Sequence, residues 1–505
     1  MSLRNYRCAQ LFLKEEVGQI IPWLALLSTV IFGAAGITID LGHAFICYRQ
    51  LQASSDAAAL SGAYAMILPG ASTTSVTSAV SSYASVSNGA NASTNLPSAT
   101  VTTTFRCVTD SVMVQAPCSA SPTGFNVIQV VQKSTVPTYL IKMLAMAGIN
   151  SAKSLTLSAT ATATMASGTN DQVNVAMVLD STASMDSSEN EPACKNTRIN
   201  CALDGVQYLM KQLAPCTGST ARSGVTCVSF DQVSLFTFPN VQANKTSNDT
   251  ACNGSMSSSY ILPYTTPAVP TSGQTTWTAP TGTAGTYQIT GYLNDWSSNN
   301  QVNGSFVTTS DIVNATGGST GSNCNGMQAI GGQGTYFAGA IYAAQASLMA
   351  EAYQNPGSRN VMIILSDGDA SASSGHMKNS SGVNIGNAGN TYPSLQSQCH
   401  QAITAANKAT SLGTTVYTIA YGADSSGCST DSSSGGSSAI SPCATMQQMS
   451  SGYVSTSNMP HFYSDASSST NKGKCTSQYN LDLQGIFGSI AAQLTKARLI
   501  PDNVT

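Results

Sequence analysis

The sequence predicts an α/β protein with a Rossmann-like sheet, preceded by a transmembrane helix and a small α+β domain next to the membrane. Three observations support this prediction. An uncharged run of 20 residues lies near the N-terminus, from Ile20 to Ile39. Apolar runs such as Val173–Leu179 have the unbroken hydrophobicity of strands buried on both faces of a parallel sheet. Helical patterns alternate with these strands, which is the order typical of α/β folds.

The composition indicates a protein that works outside the cytosol. Charged residues make up 9% of the 505 residues, and the formal net charge is −3. Ser, Thr, Gly and Asn take the places that Lys and Glu usually fill, as in secreted and surface-displayed proteins. This charge balance gives no electrostatic basis for binding nucleic acid, so nucleic-acid partners are excluded. The length predicts two or three folded units.

Residues 20–39 are predicted to span a membrane once. At 1.5 Å per residue the run is about 30 Å long, the thickness of the hydrocarbon core of a bilayer. A cleavable signal peptide is the alternative, with small residues at 33–35, but its apolar core is usually shorter. Because basic residues are more frequent before the run, residues 1–19 are predicted to be a cytoplasmic tail. Three basic residues precede the run and one follows closely: Arg4, Arg7, Lys14 and Arg49.

The helix is predicted to continue beyond the membrane and to cover residues 20–68. The stretch from Tyr48 to Leu68 is rich in Ala and Leu, and Pro69 and Gly70 end it. Its small side chains would allow another membrane-emergent helix to approach closely. A simple spacer stalk is the alternative.

Residues 71–168 are predicted to form a membrane-proximal α+β domain with a structural role. Apolar residues alternate with Thr and Ser in the segments that we assign to strands. Residues 166–170 are the expected linker to the next domain. The predicted elements are strands at 101–105, 126–131 and 155–163, and a helix that opens at Val136-Pro137 and runs to Ala147.

The cysteines favour disulfides in an oxidising compartment. Fourteen are present, and twelve of them run from Cys107 to Cys475. No CxxC pair occurs, and none has a histidine at zinc-ligand spacing, so a zinc site is the weaker interpretation. The spacing does not reveal which cysteines pair.

Side chains with oxygen ligands lie at two predicted strand ends and at one junction between a loop and a helix. Asp180, Thr182 and Ser184 come directly after the buried strand at 173–179. Thr335 ends a glycine-rich loop before a helical pattern, and Asp367 follows the apolar strand at 360–365. Carboxylate and hydroxyl oxygens suit Mg²⁺ or Ca²⁺. A helix N-cap is the alternative role for Asp180 taken alone.

These three motifs, in this order, resemble the metal-ion-dependent adhesion site (MIDAS) of von Willebrand type A domains. The resemblance implies a type A domain over residues 171–500, with insertions at 239–326, 370–393 and 422–445. A coordination position of the ion would stay open to an acidic residue of a protein partner. One Mg²⁺ ion, or Ca²⁺ or Mn²⁺, would be held by Asp180, Thr182, Ser184, Thr335 and Asp367.

The first 65 residues or so resemble the TadE/TadG family of pilin-like accessory proteins in bacterial Flp/Tad pilus machines. The resemblance consists of the apolar span, Asp40-Leu-Gly, and the segment QLQASSDAAALSGA around Asp56. It implies a single-pass protein of the bacterial inner (cytoplasmic) membrane, with the bulk of the chain periplasmic or extracellular. The prepilins of such systems carry a Glu five residues after a Gly. In this sequence the residue five positions after Gly18 is Trp23. This difference favours an accessory protein over a major pilin.

We therefore expect a TadG-like accessory or minor component of pilus assembly or surface adhesion, which binds a partner through its metal. A free-standing surface adhesin and an envelope scaffold with a structural metal are the alternatives. No enzymatic activity is expected, because the chain has only four histidines and no Gly-x-Ser-x-Gly motif. Cys399 and His400 are neighbours on a predicted helix and point in different directions. The aromatic residues of 239–326 form either a binding surface or a small core of their own.

Overall fold

The structure is a computed structural model. It describes residues 20–66, 71–106, 125, 127–140, 153–164, 172–189, 194, 196–215, 231–252, 264–298, 304–319, 322–329, 334–366, 369–373, 375, 377–379, 381–386, 389–423, 427–431, 440–465, 475, 477, 481–495 and 497–502.

The first element, α1, is one unbroken helix of 46 residues from Ile20 to Ala65. Among the described residues it is the one helix that is long and apolar enough to cross a membrane. Its first half exposes large apolar side chains to the surroundings, for example Trp23, which is 75% exposed. The predicted continuation beyond the apolar run is confirmed as far as Ala65, and residues 67–70 lie outside the described part of the chain.

The membrane-proximal domain is a four-stranded antiparallel sheet packed against two helices. Three of its strands follow α1 in the chain, and the fourth comes from the C-terminal part, as described below. Its elements after α1 are α2 (Thr73–Tyr83), β1 (Thr100–Arg106), β2 (Val127–Pro137) and β3 (Ser154–Thr164).

The prediction that Val136-Pro137 opens a helix is wrong. Both residues belong to the end of β2, where they pair with Leu155 and Ser154 of β3. Val136 is fully buried, and Pro137 stands at the last position of its strand, where its missing N–H weakens the ladder least. The rest of the predicted helix, residues 141–147, lies outside the described residues.

The outer half of α1 covers this sheet. Ala58, Ala59 and Ala63 are fully buried against it. A Cβ atom on Gly62 would lie 2.6 Å from both Ile128 Cδ1 and Val80 Cγ2. The small residues of α1 therefore let its own sheet and α2 approach the helix closely. This packing differs from both sequence interpretations, a spacer stalk and a surface for another helix.

The second domain begins with β4 and has helices on both faces of a six-stranded sheet. In chain order the strands of this sheet are β4 (Val173–Asp180), β5 (Gln232–Gln242), β7 (Gly285–Gln288), β8 (Arg359–Ser366), β10 (Thr414–Ala420) and β11 (Phe462–Ser464). Two short strands, β6 (Tyr264–Thr265) and β9 (Met377–Lys378), pair with each other, and β12 (Arg498–Ile500) follows at the end of the chain. The helices of the second domain are α3 (Arg198–Gln212), α4 (Thr246–Thr250), α5 (Asp311–Ala315), α6 (Phe337–Gln354), α7 (Gln398–Ser411), α8 (Pro442–Met449) and α9 (Leu483–Leu494).

The strand order of the large sheet is β11-β10-β8-β4-β5-β7. All neighbours are parallel except β7, which runs antiparallel to β5 at one edge. Counted along the chain within this sheet, this is the doubly wound order 3-2-1-4-5-6. The predicted α/β class with a Rossmann-like sheet is confirmed. The order reverses between β4 and β8, which makes the carboxyl ends of these two strands the expected binding position.

Alternate residues of β4 serve the two faces of the sheet. Val175, Met177 and Leu179 pack with α3 and α9 on one face. Ala176 and Val178 pack with α6 and α7 on the other. Burial on both faces explains the unbroken apolar run from which the strand was predicted.

The large insertion begins later than predicted, because β5 runs on through Gln242. Trp296 and Tyr287 are 1% and 3% exposed and belong to the domain core. The Nε1 of Trp277 donates to Gln288 Oε1 at 2.9 Å. Trp296 and Tyr287 therefore form neither an exposed binding surface nor a small core of the insertion's own, but join the main cores of the domain. The apolar residues of 225–230 also predict a strand in the sequence, and this segment lies outside the described residues.

The C-terminal strand β12 returns to the membrane-proximal sheet. Arg498 pairs with Thr164 of β3 in an antiparallel ladder, and Thr162 Oγ1 donates to Asp502 Oδ1 at 2.7 Å. The sequence assigned residues up to 500 to the type A domain, whereas the last helix of that domain, α9, ends at Leu494. The chain therefore crosses between the two domains twice.

The predicted disulfides are confirmed for the eight cysteines after Cys107 that the structure describes. Cys47 is buried and free. Cys107, Cys118, Cys216 and Cys227 lie outside the described residues. The four bonds are Cys194–Cys201, Cys252–Cys324, Cys399–Cys428 and Cys443–Cys475.

A buried carboxylate at the amino end of the sheet makes stability depend on pH. Asp231 accepts hydrogen bonds from the backbone N–H groups of Val173 and Ala214, at 3.0 and 2.9 Å. Burial raises the pKa of Asp231 to about 6, although these two bonds and the charge of Arg359 oppose the rise. The folded state therefore holds this proton more tightly than the unfolded chain.

We expect the contribution of Asp231 to be greatest below pH 4 and to be lost as the pH rises through 6. The change is on the order of 2–3 kcal/mol for a shift of this size. Denaturant titrations between pH 4 and 7 measure it, and Asp231→Asn removes the titrating group. The pH dependence of wild type minus that of the variant gives the contribution of Asp231. An identical pH dependence in both proteins would contradict the assignment.

Candidate metal centre

The candidate centre lies where the strand order of the sheet reverses, between β4 and β8. Asp180 is the last residue of β4 and Ser366 the last residue of β8. The register pairs Leu179 with Leu365, so these two polar residues emerge side by side from the carboxyl edge. Both are fully buried. A carboxylate at this depth needs compensation by hydrogen bonds or by a cation.

Hydroxyl groups surround the carboxylate of Asp180. Thr182 Oγ1 donates to Asp180 Oδ1 at 2.6 Å, and the backbone N–H of Thr182 donates to the same oxygen at 2.9 Å. Ser366 Oγ donates to Asp180 Oδ2 at 2.5 Å. The oxygens of Thr182 Oγ1 and Ser184 Oγ lie 3.1 Å apart. The structure thus brings together three of the predicted ligands, Asp180, Thr182 and Ser184.

A short 3-10 turn from Ala183 to Asp186 gives this arrangement an open side. Met185 points into the core, whereas Ser184 is exposed. The turn therefore carries the polar residues from the buried strand end to the surface. A partner molecule can reach the site from the side of Ser184.

The donor set fits a hard divalent cation. A hydroxyl that donates its hydrogen to a carboxylate keeps lone pairs with which it can bind a metal ion. Asp180 supplies negative charge, and Thr182 and Ser184 supply neutral oxygens, the ligand types that Mg²⁺ and Ca²⁺ prefer. No thiolate or imidazole is part of this set, so softer metals have no preferred ligand among these residues.

Thr335 lies on the loop before α6 and is buried. It pairs with Ala370 in an isolated β-bridge, and its carbonyl oxygen accepts from Ser371 N–H at 3.0 Å. A Cβ atom on Gly334 would lie 2.4 Å from the carbonyl oxygen of Ser371, so this contact requires glycine. The bridge holds Thr335 against the segment that follows β8. Asp367 lies outside the described residues.

Ser366 stands between the strand predicted at 360–365 and Asp367, and the sequence analysis assigned it no role. Its hydrogen bond to Asp180 orients the carboxylate, as an outer partner of a metal ligand does. The signal was available in part, because Ser366 directly follows the strand predicted at 360–365. What the sequence lacks is the parallel register of β4 and β8, which places the two residues together.

Further contacts fasten the loops at this edge of the sheet. Both carboxylate oxygens of Asp369 accept from Ser429 N–H, at 3.1 and 3.0 Å. Thr430 Oγ1 donates to the carbonyl oxygen of Ala370 at 3.0 Å. The side chains of Asp369, Cys399 and Cys428 also lie close together. Because the two cysteines form a disulfide, this cluster supplies no thiolate for a metal.

A polar cavity of about 740 Å³ opens beside the candidate centre. Asp186, at the end of the 3-10 turn, belongs to its wall, so the cavity adjoins the exposed side of the site. Burial raises the pKa of Asp204, another carboxyl group of the wall. Side-chain amides make up much of the remaining lining: Asn196, Asn200, Asn323, Asn325 and Gln328.

Cys399 and His400, the neighbouring residues on α7, both have structural roles. Cys399 is buried and bonded to Cys428, so it has no free thiol. His400 Nδ1 lies 2.5 Å from Asp431 Oδ2, whose side chain is fully buried. This pair ties α7 to the loop at 427–431. Each side chain is therefore engaged in holding the fold together.

Comparison with protein families confirms the resemblance at the N-terminus. Residues 18–65 match the family model described as putative Flp pilus-assembly TadE/G-like. The match coincides with α1, the membrane-spanning candidate and the helix that covers the membrane-proximal sheet. No curated protein matches the sequence.

Several solved structures resemble the chain at low sequence identity. The pilus adhesin SpaC from Lactobacillus rhamnosus GG, in its open conformation, is 11% identical with a TM-score of 0.33, over 80% of this chain and 35% of that one. The conserved hypothetical protein BatB from Bacteroides thetaiotaomicron is 12% identical with a TM-score of 0.29, over 64% and 96%. Proximal thread matrix protein 1 from the mussel byssus, with a zinc-occupied MIDAS motif, is 11% identical with a TM-score of 0.29, over 66% and 47%. The chain spans about a third of the length of SpaC.

Proposed function

We propose, for a chain whose residues 18–65 form a TadE/G-like pilus-assembly domain, an accessory or minor role in a pilus or surface-adhesion apparatus. In this role the type A domain binds a protein partner through one divalent metal ion. The observation that supports the proposal best is the fully buried carboxylate of Asp180 at the switch point of the sheet. Thr182 and Ser366 donate hydroxyl hydrogen bonds to it, and Ser184 lies open to the surroundings.

The ion would be held by Asp180, Thr182, Ser184, Thr335 and Asp367. Two carboxylates and neutral hydroxyls complete an oxygen shell together with water. An acidic residue of the partner would replace a water at the open side near Ser184 and add charge that favours the ion. The amides and carboxyl groups of the neighbouring cavity would select among partners by hydrogen bonding.

The proposed topology places the N-terminus in the cytoplasm and the two domains outside it. The basic residues before α1 support this orientation through the positive-inside rule. The four described disulfides support an oxidising compartment for everything beyond the membrane. In a bacterium, this means an inner-membrane anchor with the bulk of the chain in the periplasm or beyond.

We expect the metal-stripped protein in detergent to bind one divalent ion per chain in calorimetric titration with Mg²⁺, Ca²⁺ or Mn²⁺. The thermal unfolding midpoint should rise with metal concentration, because an ion that binds only the folded state stabilises it. A stripped protein that binds no divalent ion at millimolar metal would exclude both the site and the adhesion mechanism.

A purely structural ion is the competing function, and the burial of Asp180 and Thr182 favours it. The two functions differ in whether binding of a partner depends on the metal. Capture from envelope extracts, with and without chelator, should recover pilus-apparatus proteins only when metal is present. If the chelator unfolds the type A domain and changes no binding to the folded protein, the ion is structural. Recovery of metal-dependent partners without any pilus component would favour a free-standing adhesin.

A further inference from the structure

A short segment of the membrane-proximal domain is fastened to α1 at the end of its uncharged run. Asp40 is the first charged residue after Ile39 and is 2% exposed. Its two carboxylate oxygens accept from the backbone N–H groups of Tyr139 and Leu140, each at 2.8 Å. The ring of Tyr139 also stacks edge-on against His43, with centroids 4.9 Å apart. Residues 138–140 are therefore held at a fixed height along the helix.

This height reaches into the membrane-spanning part of α1. A Cβ atom on Gly36 would lie 3.1 Å from Leu140 Cβ, so Leu140 packs beside a residue four positions before Asp40. At 1.5 Å per residue, that is about 6 Å deeper than Asp40. A side chain of the folded domain thus lies alongside the apolar run that is predicted to cross the bilayer.

The surface at this height is apolar and open. Tyr139 and Leu140 are 51% and 38% exposed, and on α1 the side chains of Ile37, Leu41 and Phe45 are 46%, 55% and 62% exposed. These five residues are called the collar. The collar is continuous with the exposed apolar surface of the span below it.

The spacing of aromatic residues places the collar at a membrane surface. Trp and Tyr side chains gather at both membrane–water interfaces. Trp23 is exposed and lies 20 residues before His43, whose ring contacts Tyr139. This separation is about 30 Å along the helix, the thickness of the hydrocarbon core. Arg49 lies 5.8 Å over the ring of Phe45, on the side of the headgroups.

We propose that the collar is a second membrane contact, in which Tyr139 and Leu140 insert into the lipid interface beside α1. The ligand is the boundary between headgroups and acyl chains of the bilayer. Asp40 positions the segment by holding its backbone N–H groups, which would otherwise lose their water partners in the interface. The membrane-proximal domain then rests directly on the membrane in one orientation. The inference relies on α1 crossing the membrane.

Photo-crosslinking of the full chain in lipid nanodiscs tests the contact. The photoreactive residue p-benzoylphenylalanine replaces Tyr139, and lipid adducts are detected by mass spectrometry. Tyr83 is the matched control, because it is 50% exposed on the same domain but belongs to the end of α2. Leu27, in the span, is the positive control. We expect lipid adducts from positions 139 and 27 and none from position 83.

The outcomes separate the collar from the anchor. Adducts at 27 without adducts at 139 would overturn the collar and leave the anchor intact. No adduct at 27 would overturn the anchor as well. Adducts from 139 to a second copy of the chain or to another protein would make the patch a protein interface, which also overturns the proposal. In the Asp40→Ala background we expect the lipid adduct at 139 to fall, because the segment is released, while the adduct at 27 stays unchanged.

Discussion

Replacing Asp180 with alanine is expected to weaken divalent-metal binding by more than about 100-fold. Loss of an outer hydrogen-bonding partner of a metal ligand already costs roughly 10–100-fold, and Asp180 supplies both a ligand atom and a charge. Its two oxygens also hold the hydroxyls of Thr182 and Ser366 in place. Calorimetric titration of stripped wild type and variant measures the change, and metal-dependent partner capture should disappear with it.

The fold should survive this substitution. Without metal, Asp180 is a buried carboxylate, and removing such a group does not leave an unpaired charge behind. We therefore expect the metal-free variant to unfold at a temperature close to that of metal-free wild type. Only wild type should gain stability when metal is added, since the gain depends on binding to the folded state. A variant that unfolds at room temperature would mean that Asp180 holds the sheet together, contrary to this expectation.

Two control substitutions make the test specific. Asp186→Ala removes the same charge from the exposed end of the same turn, and we expect it to leave metal affinity nearly unchanged. At Thr182, serine keeps the hydroxyl and should retain the metal, whereas valine has the same shape without the hydroxyl and should lose it. If Asp186→Ala reduces affinity as strongly as Asp180→Ala, the effect is general electrostatics and the assigned ligand set is wrong.

Phe487→Ala is expected to lower the free energy of unfolding of the type A domain by about 3–5 kcal/mol, the usual cost of truncating a buried phenylalanine. Phe487 is fully buried on α9, within the core on one face of the sheet. Its ring lies against Gly205 of α3, where a Cβ atom would come within 2.3 Å of the ring carbons. Denaturant titration measures the loss. Tyr353→Ala, at a side chain that is 66% exposed, should change stability by less than about 0.5 kcal/mol.

A double substitution tests whether the contact itself carries the effect. Gly205→Val alone should destabilise the domain by overpacking, at a cost of about 1–3 kcal/mol. In the double variant with Phe487→Ala, the added side chain has space to fill. The loss of stability in the double variant should therefore be smaller than the sum of the losses in the two single variants. Strict additivity would show that α3 and α9 do not pack through this pair.

Local patterns in the sequence were sufficient to predict the helices and strands that bury one or both of their faces. The strand predicted at 173–179 is present. The sequence also predicts a final helix from the apolar stripe of Leu483, Phe487 and Leu494, and this helix is present. Burial on both faces of a sheet, or on one stripe of a helix, leaves a periodicity that neighbouring residues carry by themselves. The uncharged run at 20–39 predicted the long helix through its length and unbroken apolarity.

The candidate centre was predictable to the extent that ligands cluster in the chain. Asp180, Thr182 and Ser184 follow one strand at a spacing of two residues, and the structure brings their oxygens together. Ser366 contributes through a hydrogen bond across 186 residues of sequence. Only the register of β4 against β8 determines that partner, and register depends on the packing of whole strands. The ligand set as a whole remains a prediction.

The sequence by itself determined the order of strands and helices, the apolar span and the polar groups at strand ends, because each is a property of neighbouring residues. Tertiary structure alone decided that Val136-Pro137 ends a strand, since pairing with β3 outweighs the local preference of a Pro for a helix start. It also decided that the small residues of α1 face their own sheet and that β12 joins β3 from more than 300 residues away. Such long-range pairings depend on which apolar surfaces and strand edges are left to be covered once the local elements exist, and no segment of the chain encodes that alone.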